Sequence, residues 1–169
     1  MKLSDHFDSK EFRCRCFACG EPLVDPMLVQ ALEQLRGILN AEIPEPAKQH
    51  RIAVTSGCRC PIYNQQKRGQ PNSQHLYDRG TGKPCKAADI FSATRSIRQV
   101  YAAALLVAAF HGIGLAPPVA ADPAQGRQAH PGYLHVDVRD AMARAQWGYD
   151  EDSRIVALAS VLNRIGGDV

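Results

Sequence analysis

The stretch Lys86-Ala87-Ala88-Asp89-Ile90-Phe91 places one carboxylate inside an otherwise apolar, strand-like run. A carboxylate buried among apolar neighbours needs an ionic partner or a metal. Two more stretches belong with it. Tyr133-Leu134-His135-Val136-Asp137-Val138 alternates as a strand does, which puts His135 and Asp137 on one face. Asn72-Ser73-Gln74-His75 is turn-like and ends on a second imidazole. Two imidazoles and one carboxylate from separate segments form the ligand set of a catalytic zinc site, in which a fourth position is left to water. If the three converge, a hydrolase is expected.

Working outward, Arg51-Ile52-Ala53-Val54-Thr55 predicts a further strand. Asp25-Pro26 predicts an N-cap followed by proline at the first helical position. Met27, Leu28, Ala31, Leu32, Leu35 and Leu39 then recur at helical spacing, and Asn40 suits the stop. Ser4 is expected to cap a first helical turn carrying Phe7 and Phe12. Residues 60–74 are polar and turn-rich. Ser92 or Thr94 is expected to cap a helix running to about His111, apolar on all sides from Ala102 to Phe110 and broken by Gly112 and Gly114. Residues 116–131 hold four of the eleven prolines and predict a loop. A last helix is expected from Asp150 or Asp152, with Ile155, Leu158, Leu162 and Ile165 on one face and Gly166-Gly167 at its end. Helices and strands follow one another without a regular βαβ alternation, so the expected class is α+β: a small antiparallel sheet packed with helices.

The 169 residues predict one domain, 1–169, large enough for its own core. The net charge of +3 is too mild to imply nucleic acid, and no nucleic-acid partner is expected. The longest apolar run, Tyr101–Phe110, is about half of what a membrane span needs, so no span is expected. The polar N-terminus lacks the apolar region of a secretory signal, which predicts synthesis in the cytoplasm. Action on a cell wall would then follow release by lysis or another export route. A monomer is expected.

The runs Ser73-x-His75, Ala87-x-Asp89-Ile90 and His135-x-Asp137 resemble the signature of the LAS zinc peptidases. These are the D-Ala-D-Ala carboxypeptidases and L-Ala-D-Glu endopeptidases that cut peptidoglycan stem peptides, and the hedgehog signalling domain shares their fold. Val54-Thr55-Ser56-Gly57-Cys58-Arg59-Cys60-Pro61-x-Tyr63-Asn64 is similar to the family's Ser-Gly-Tyr-Arg segment, with Cys58 where Tyr is usual. Leu3-Ser4-x-His6-Phe7-x-x-x-Glu11-Phe12 is similar to the opening of its phage-type branch, the branch of endolysins. The likeness covers about residues 3–140, leaving a C-terminal helix at about 152–165 outside it.

The resemblance implies a zinc ion held by His75, Asp89 and His135, with Arg59 facing the scissile carbonyl. It implies that Ser73 and Tyr77 hold the ligand loop or touch substrate, and that the substrates are peptidoglycan stem peptides. Two departures stand out. Fourteen positions separate His75 from Asp89, more than the family's usual spacing, with Asp78–Pro84 apparently inserted as a hairpin or loop at the mouth of the site and Cys85 where a Gly is usual. The acid that branches of the family place three before the last ligand is Gly132 here, which leaves His130 and Asp137 as candidates for the general base. That gap keeps open an alternative, a catalytically inactive zinc-binding module of cell-wall or interaction type. Cys14, Cys16, Cys19, Cys58 and Cys60 cluster in sequence and Cys85 stands apart. Four of the first five would suit a second, structural zinc; disulfides formed after release and free thiols are the other readings.

Overall fold

A computed structural model describes residues 1–166 apart from Phe17 and Arg127. Six strands form one sheet: β1 (Ala53–Ser56), β2 (Ala87–Phe91), β3 (Gly112–Ala116), β4 (Tyr133–Asp137), β5 (Ala145–Tyr149) and β6 (Ile155–Val156), in the order β1-β2-β4-β3-β5-β6. Neighbouring strands are antiparallel except β3 and β5, which run parallel. The helices are α1 (Pro26–Leu39), α2 (Pro61–Gln66), α3 (Ile97–Leu105) and α4 (Leu158–Ile165). The class is α+β, with a sheet twice as wide as the three strands legible in the sequence and containing one parallel pair.

Each central strand has two faces of different character. Ile90 of β2, Ile113 and Leu115 of β3, and Leu134 and Val136 of β4 are fully buried in one core with Leu28 and Leu32 of α1 and Val100 and Ala104 of α3. Period-two alternation sends Asp89, His135, Asp137 and, on β5, Trp147 and Tyr149 to the other face. Gly148, between those two aromatics, meets α4. A Cβ there would lie 2.4 Å from Val161 Cγ2, so only glycine lets the helix come this close.

The first helix forms as its sequence predicts. Asp25 accepts from Met27 N at 2.9 Å, and the apolar stripe Leu28, Leu32, Leu35 and Leu39 is buried. Asn40 closes it, donating to Arg36 O and His50 O and accepting from His50 N. At the N-terminus the expected helical turn is a 3-10 segment, Ser9–Phe12, capped by Asp8 rather than Ser4. Ser4 Oγ instead accepts from Phe7 N, and Phe7 and Phe12 meet edge to face in the core. The turn-rich residues 60–74 begin with the short helix α2, capped by Cys60.

Four expectations are corrected. The cap of α3 is Ser96, in a reciprocal box with Gln99, not Ser92 or Thr94. The helix ends at Leu105, short of His111, where Arg144 takes up three carbonyls at and beyond its end: Leu105 O at 2.6 Å, Val107 O at 2.7 Å and Phe110 O at 2.7 Å. Leu106 accordingly lies exposed while Val107 and Phe110 are buried. Gly112 and Gly114 do not break a helix but lie within β3, on the face that carries Asp137 and Trp147. A Cβ on Gly112 would fall 2.1 Å from Asp137 Oδ2, and one on Gly114 2.5 Å from Trp147 Nε1. The last helix begins at Leu158 rather than Asp150 or Asp152. A β5–β6 hairpin precedes it, its turn held by Asp150 Oδ1, which accepts from Asp152 N and Arg154 N. Gly167 of the expected stop lies outside the described residues. Among the described residues no helix is long and apolar enough to cross a membrane.

Candidate metal centre

The pairing of β2 with β4 sets Asp89 directly opposite His135. His75 arrives from a loop that is stitched on both sides. Arg59 N donates to His75 O at 2.8 Å, and Lys86 N donates to Gln74 O at 2.8 Å. Three atoms then meet. His135 Nδ1 is 3.0 Å and His75 Nε2 3.2 Å from Asp89 Oδ1, and the two ring nitrogens are 3.1 Å apart. All three side chains are buried.

The other nitrogen of each ring is already committed. His75 Nδ1 donates to Gly57 O at 2.7 Å, and His135 Nε2 donates to Asp137 Oδ2 at 3.1 Å. In the neutral rings those bonds leave Nε2 of His75 and Nδ1 of His135 as lone pairs facing the same point as a carboxylate oxygen. Three electron pairs converging in a buried space suit a cation. Tetrahedral nitrogen and oxygen ligands at about 2.0–2.1 Å from zinc lie about 3.3 Å apart, close to the spacings here. The donor set and its geometry fit zinc with one position open.

The electrostatics agree with a site built for positive charge. Burial alone would raise the Asp89 pKa, but His75 and His135 outweigh it and hold the carboxyl well below its usual range. Burial lowers His75, only partly offset by Asp89. Burial also works against charge on His135, yet Asp137 and Asp89 hold its pKa up to about 9. Asp137 is fully buried and is itself gripped by Arg139, whose Nε donates to Oδ1 at 2.7 Å.

The centre opens into a cleft of about 1080 Å³. Arg59 reaches its edge, donating to Asp89 Oδ2 at 2.8 Å and to Ser56 Oγ at 2.9 Å. Ser73 also lines the cleft and accepts from His75 N at 3.3 Å, which steadies the ligand loop. Tyr133, Trp147 and Tyr149 form an aromatic wall, with the Trp147 ring 5.3 Å from that of His135. The wall was not legible in the sequence, although Trp147-Gly148-Tyr149 alternates as a strand would.

The remaining sequence candidates sit elsewhere. Tyr77 is buried beside Cys19 and is not among the residues that line the cleft. Residues 78–84 do form a hairpin, closed by reciprocal bonds between Asp78 and Lys83, but they do not line the cleft. Arg79 instead ties the hairpin to Glu21 O at 3.1 Å. His130 also lies off the cleft wall, its Nδ1 accepting from Gly132 N at 3.2 Å. Asp137 stands behind His135, on the ring nitrogen that points away from the converging atoms. Gly132 has φ +83°, and a Cβ there would meet Ala116 O at 2.8 Å, so the backbone leaves no place for an acid. The six cysteines are unbonded: Cys14, Cys16, Cys19 and Cys60 gather in one group, while Cys58 lies buried beside Cys85.

Residues 5–117 match the Peptidase M15 family, and the chain belongs to it. The match includes His75 and Asp89; His135, the third of the converging residues, lies beyond it. Membership implies a zinc metallopeptidase acting on a peptide-type substrate. No curated protein and no solved structure matches the chain.

Proposed function

We propose that the protein hydrolyses amide bonds in peptidoglycan stem peptides, as a D-Ala-D-Ala carboxypeptidase or an L-Ala-D-Glu endopeptidase. The observation that carries this substrate class is the charge of the cleft. Arg15, Arg59, Lys67, Arg68 and Arg154 line it, against Asp89 and Asp152 as the carboxylates among its described lining residues. Stem peptides carry free carboxylates, and a cleft with an excess of cationic groups concentrates them. The likeness to LAS peptidases around Ser56–Arg59 and His135–Asp137 supports the same reading. Synthesis in the cytoplasm followed by release to the wall fits this role.

His75, Asp89 and His135 hold the ion. Bound there, zinc would supply Lewis acidity, with the pKa of a water lowered toward about 7 and a carbonyl polarised. Asp137 fixes His135 in the ligating tautomer, and Arg139 keeps Asp137 ionised by charge-assisted hydrogen bonds. Arg59 presents its guanidinium at the cleft edge, where it stabilises negative charge developing on the amide oxygen. Tyr133, whose hydroxyl is pushed up to about 12 by burial and by Asp89, stays protonated and donates to substrate. Asp152 on the β5–β6 turn, paired with Arg154 at 3.0 Å, is the one lining carboxylate outside the ligand set among the described residues, and so the candidate to take the proton from water and return it to the leaving amine.

The second reading, an inactive zinc-binding module, is favoured by Gly132 in the position where relatives by resemblance carry an acid. Incubating the zinc-loaded protein with purified muropeptides and weighing the fragments separates the two. Release of D-Ala, or of fragments split at L-Ala-D-Glu, is expected. Intact muropeptides with one zinc bound at His75, Asp89 and His135 would establish the module instead.

A further inference from the structure

We propose that Cys14, Cys16, Cys19 and Cys60 bind a second, structural zinc ion that fastens the N-terminal segment to the loop carrying Arg59. The Sγ atoms lie within 4.8 Å of one another, with Cys16 to Cys19 at 3.2 Å and Cys16 to Cys60 at 3.9 Å. Four thiolates around zinc at about 2.3 Å lie about 3.8 Å apart, so the group needs only small adjustments to close on an ion. An all-sulfur tetrahedral set selects zinc or iron–sulfur chemistry, and four single cysteines around one point suit one ion.

The surroundings are those of a thiolate site. Cys60 N points at Cys14 Sγ at 3.4 Å, Tyr63 N at Cys60 Sγ at 3.4 Å, and the buried Tyr77 hydroxyl bonds Cys19. N–H and O–H donors of this kind offset the negative charge of sulfur ligands. On binding, the thiols release their protons to solvent. Cys58 and Cys85 stay outside the group, so the five clustered cysteines divide into four ligands and one packing residue.

The position gives the ion a consequence. Cys14 and Cys16 flank Arg15, and Cys60 follows Arg59, and both arginines line the cleft. The same junction holds Phe12 O to Cys58 N at 2.9 Å and seats Gly57 against Phe12. Gly57 O in turn orients His75. The ion therefore locks the loop from which the metal centre takes one ligand's tautomer and one cation.

The test is the zinc content of the full chain purified in a reducing buffer, combined with zinc-edge X-ray absorption. Two ions per chain are expected. His75→Ala should retain one, with four sulfur neighbours; Cys60→Ser should lose that sulfur-bound ion, and Cys85→Ala should keep both. If Cys60→Ser does not fold, the His75→Ala spectrum alone decides. An ion seen only with nitrogen and oxygen neighbours in the wild type, disulfides among these four cysteines, or an iron–sulfur spectrum would overturn the proposal. The result is independent of whether the protein cleaves peptides.

Discussion

Asp137 touches no converging lone pair, yet it decides which nitrogen of His135 is bare. Replacing it by Asn keeps the shape but removes the charge that holds Nε2–H. Asp137→Asn is expected to weaken zinc binding at the centre by about 10–100-fold, measured by competition with a chelator; unchanged affinity would mean that His135 needs no such partner. Arg59 acts differently, since it binds the oxygen of Asp89 that the imidazoles leave free. Arg59→Ala is expected to lower kcat by about two to three powers of ten, with Lys a poor replacement because it lacks the planar fork. Asp152→Asn should lower kcat by about 10²–10⁴-fold, whereas His130→Ala should leave kcat near the wild-type value. The opposite pattern would transfer the proton acceptor's role to His130.

At the scale of elements, Asp89 and His135 were legible because each interrupts a pattern, whereas His75 stood in a turn and was carried by the resemblance. Asp89 intrudes on an apolar strand, and His135-x-Asp137 puts polar groups on alternate positions of another. The strands around them were hidden because their residues answer to neighbours rather than to propensity. Gly112 and Gly114 resemble breakers in one dimension, yet the adjacent strands project Asp137 and Trp147 into the space a side chain would fill. Gly112→Ala is expected to displace Asp137 and lose activity together with stability, read by urea unfolding beside the zinc content. Likewise, nothing local announced that α3 stops at Leu105, whose carbonyl is taken up by Arg144, some forty residues on. Arg144→Ala leaves three carbonyls without their charged donor and should destabilise by at least about 1–3 kcal/mol in urea unfolding. A change near zero would show that water replaces the guanidinium.

Across the whole molecule, the sheet carries a core on one face and a reactive centre on the other. The C-terminal part completes that second face, since β5 brings Trp147 and Tyr149 and the β5–β6 turn brings Asp152. Those residues lie beyond both the family match and the likeness read from sequence, which is why the cleft's far wall could not be anticipated. The cationic lining makes substrate capture sensitive to salt: KM for an anionic stem peptide should rise as ionic strength goes from about 0.01 to 0.15 M, while kcat changes little. A neutral, amidated peptide should show no such dependence.

The proposed catalysis rests on one ion shared by His75, Asp89 and His135. Anomalous diffraction at the zinc edge from crystals of the metal-loaded protein tests that most directly. A peak about 2.0–2.2 Å from His75 Nε2, Asp89 Oδ1 and His135 Nδ1 is predicted. Contradiction would be a map with no peak among these three atoms, the site closed instead by a protonated imidazole bonded to the carboxylate.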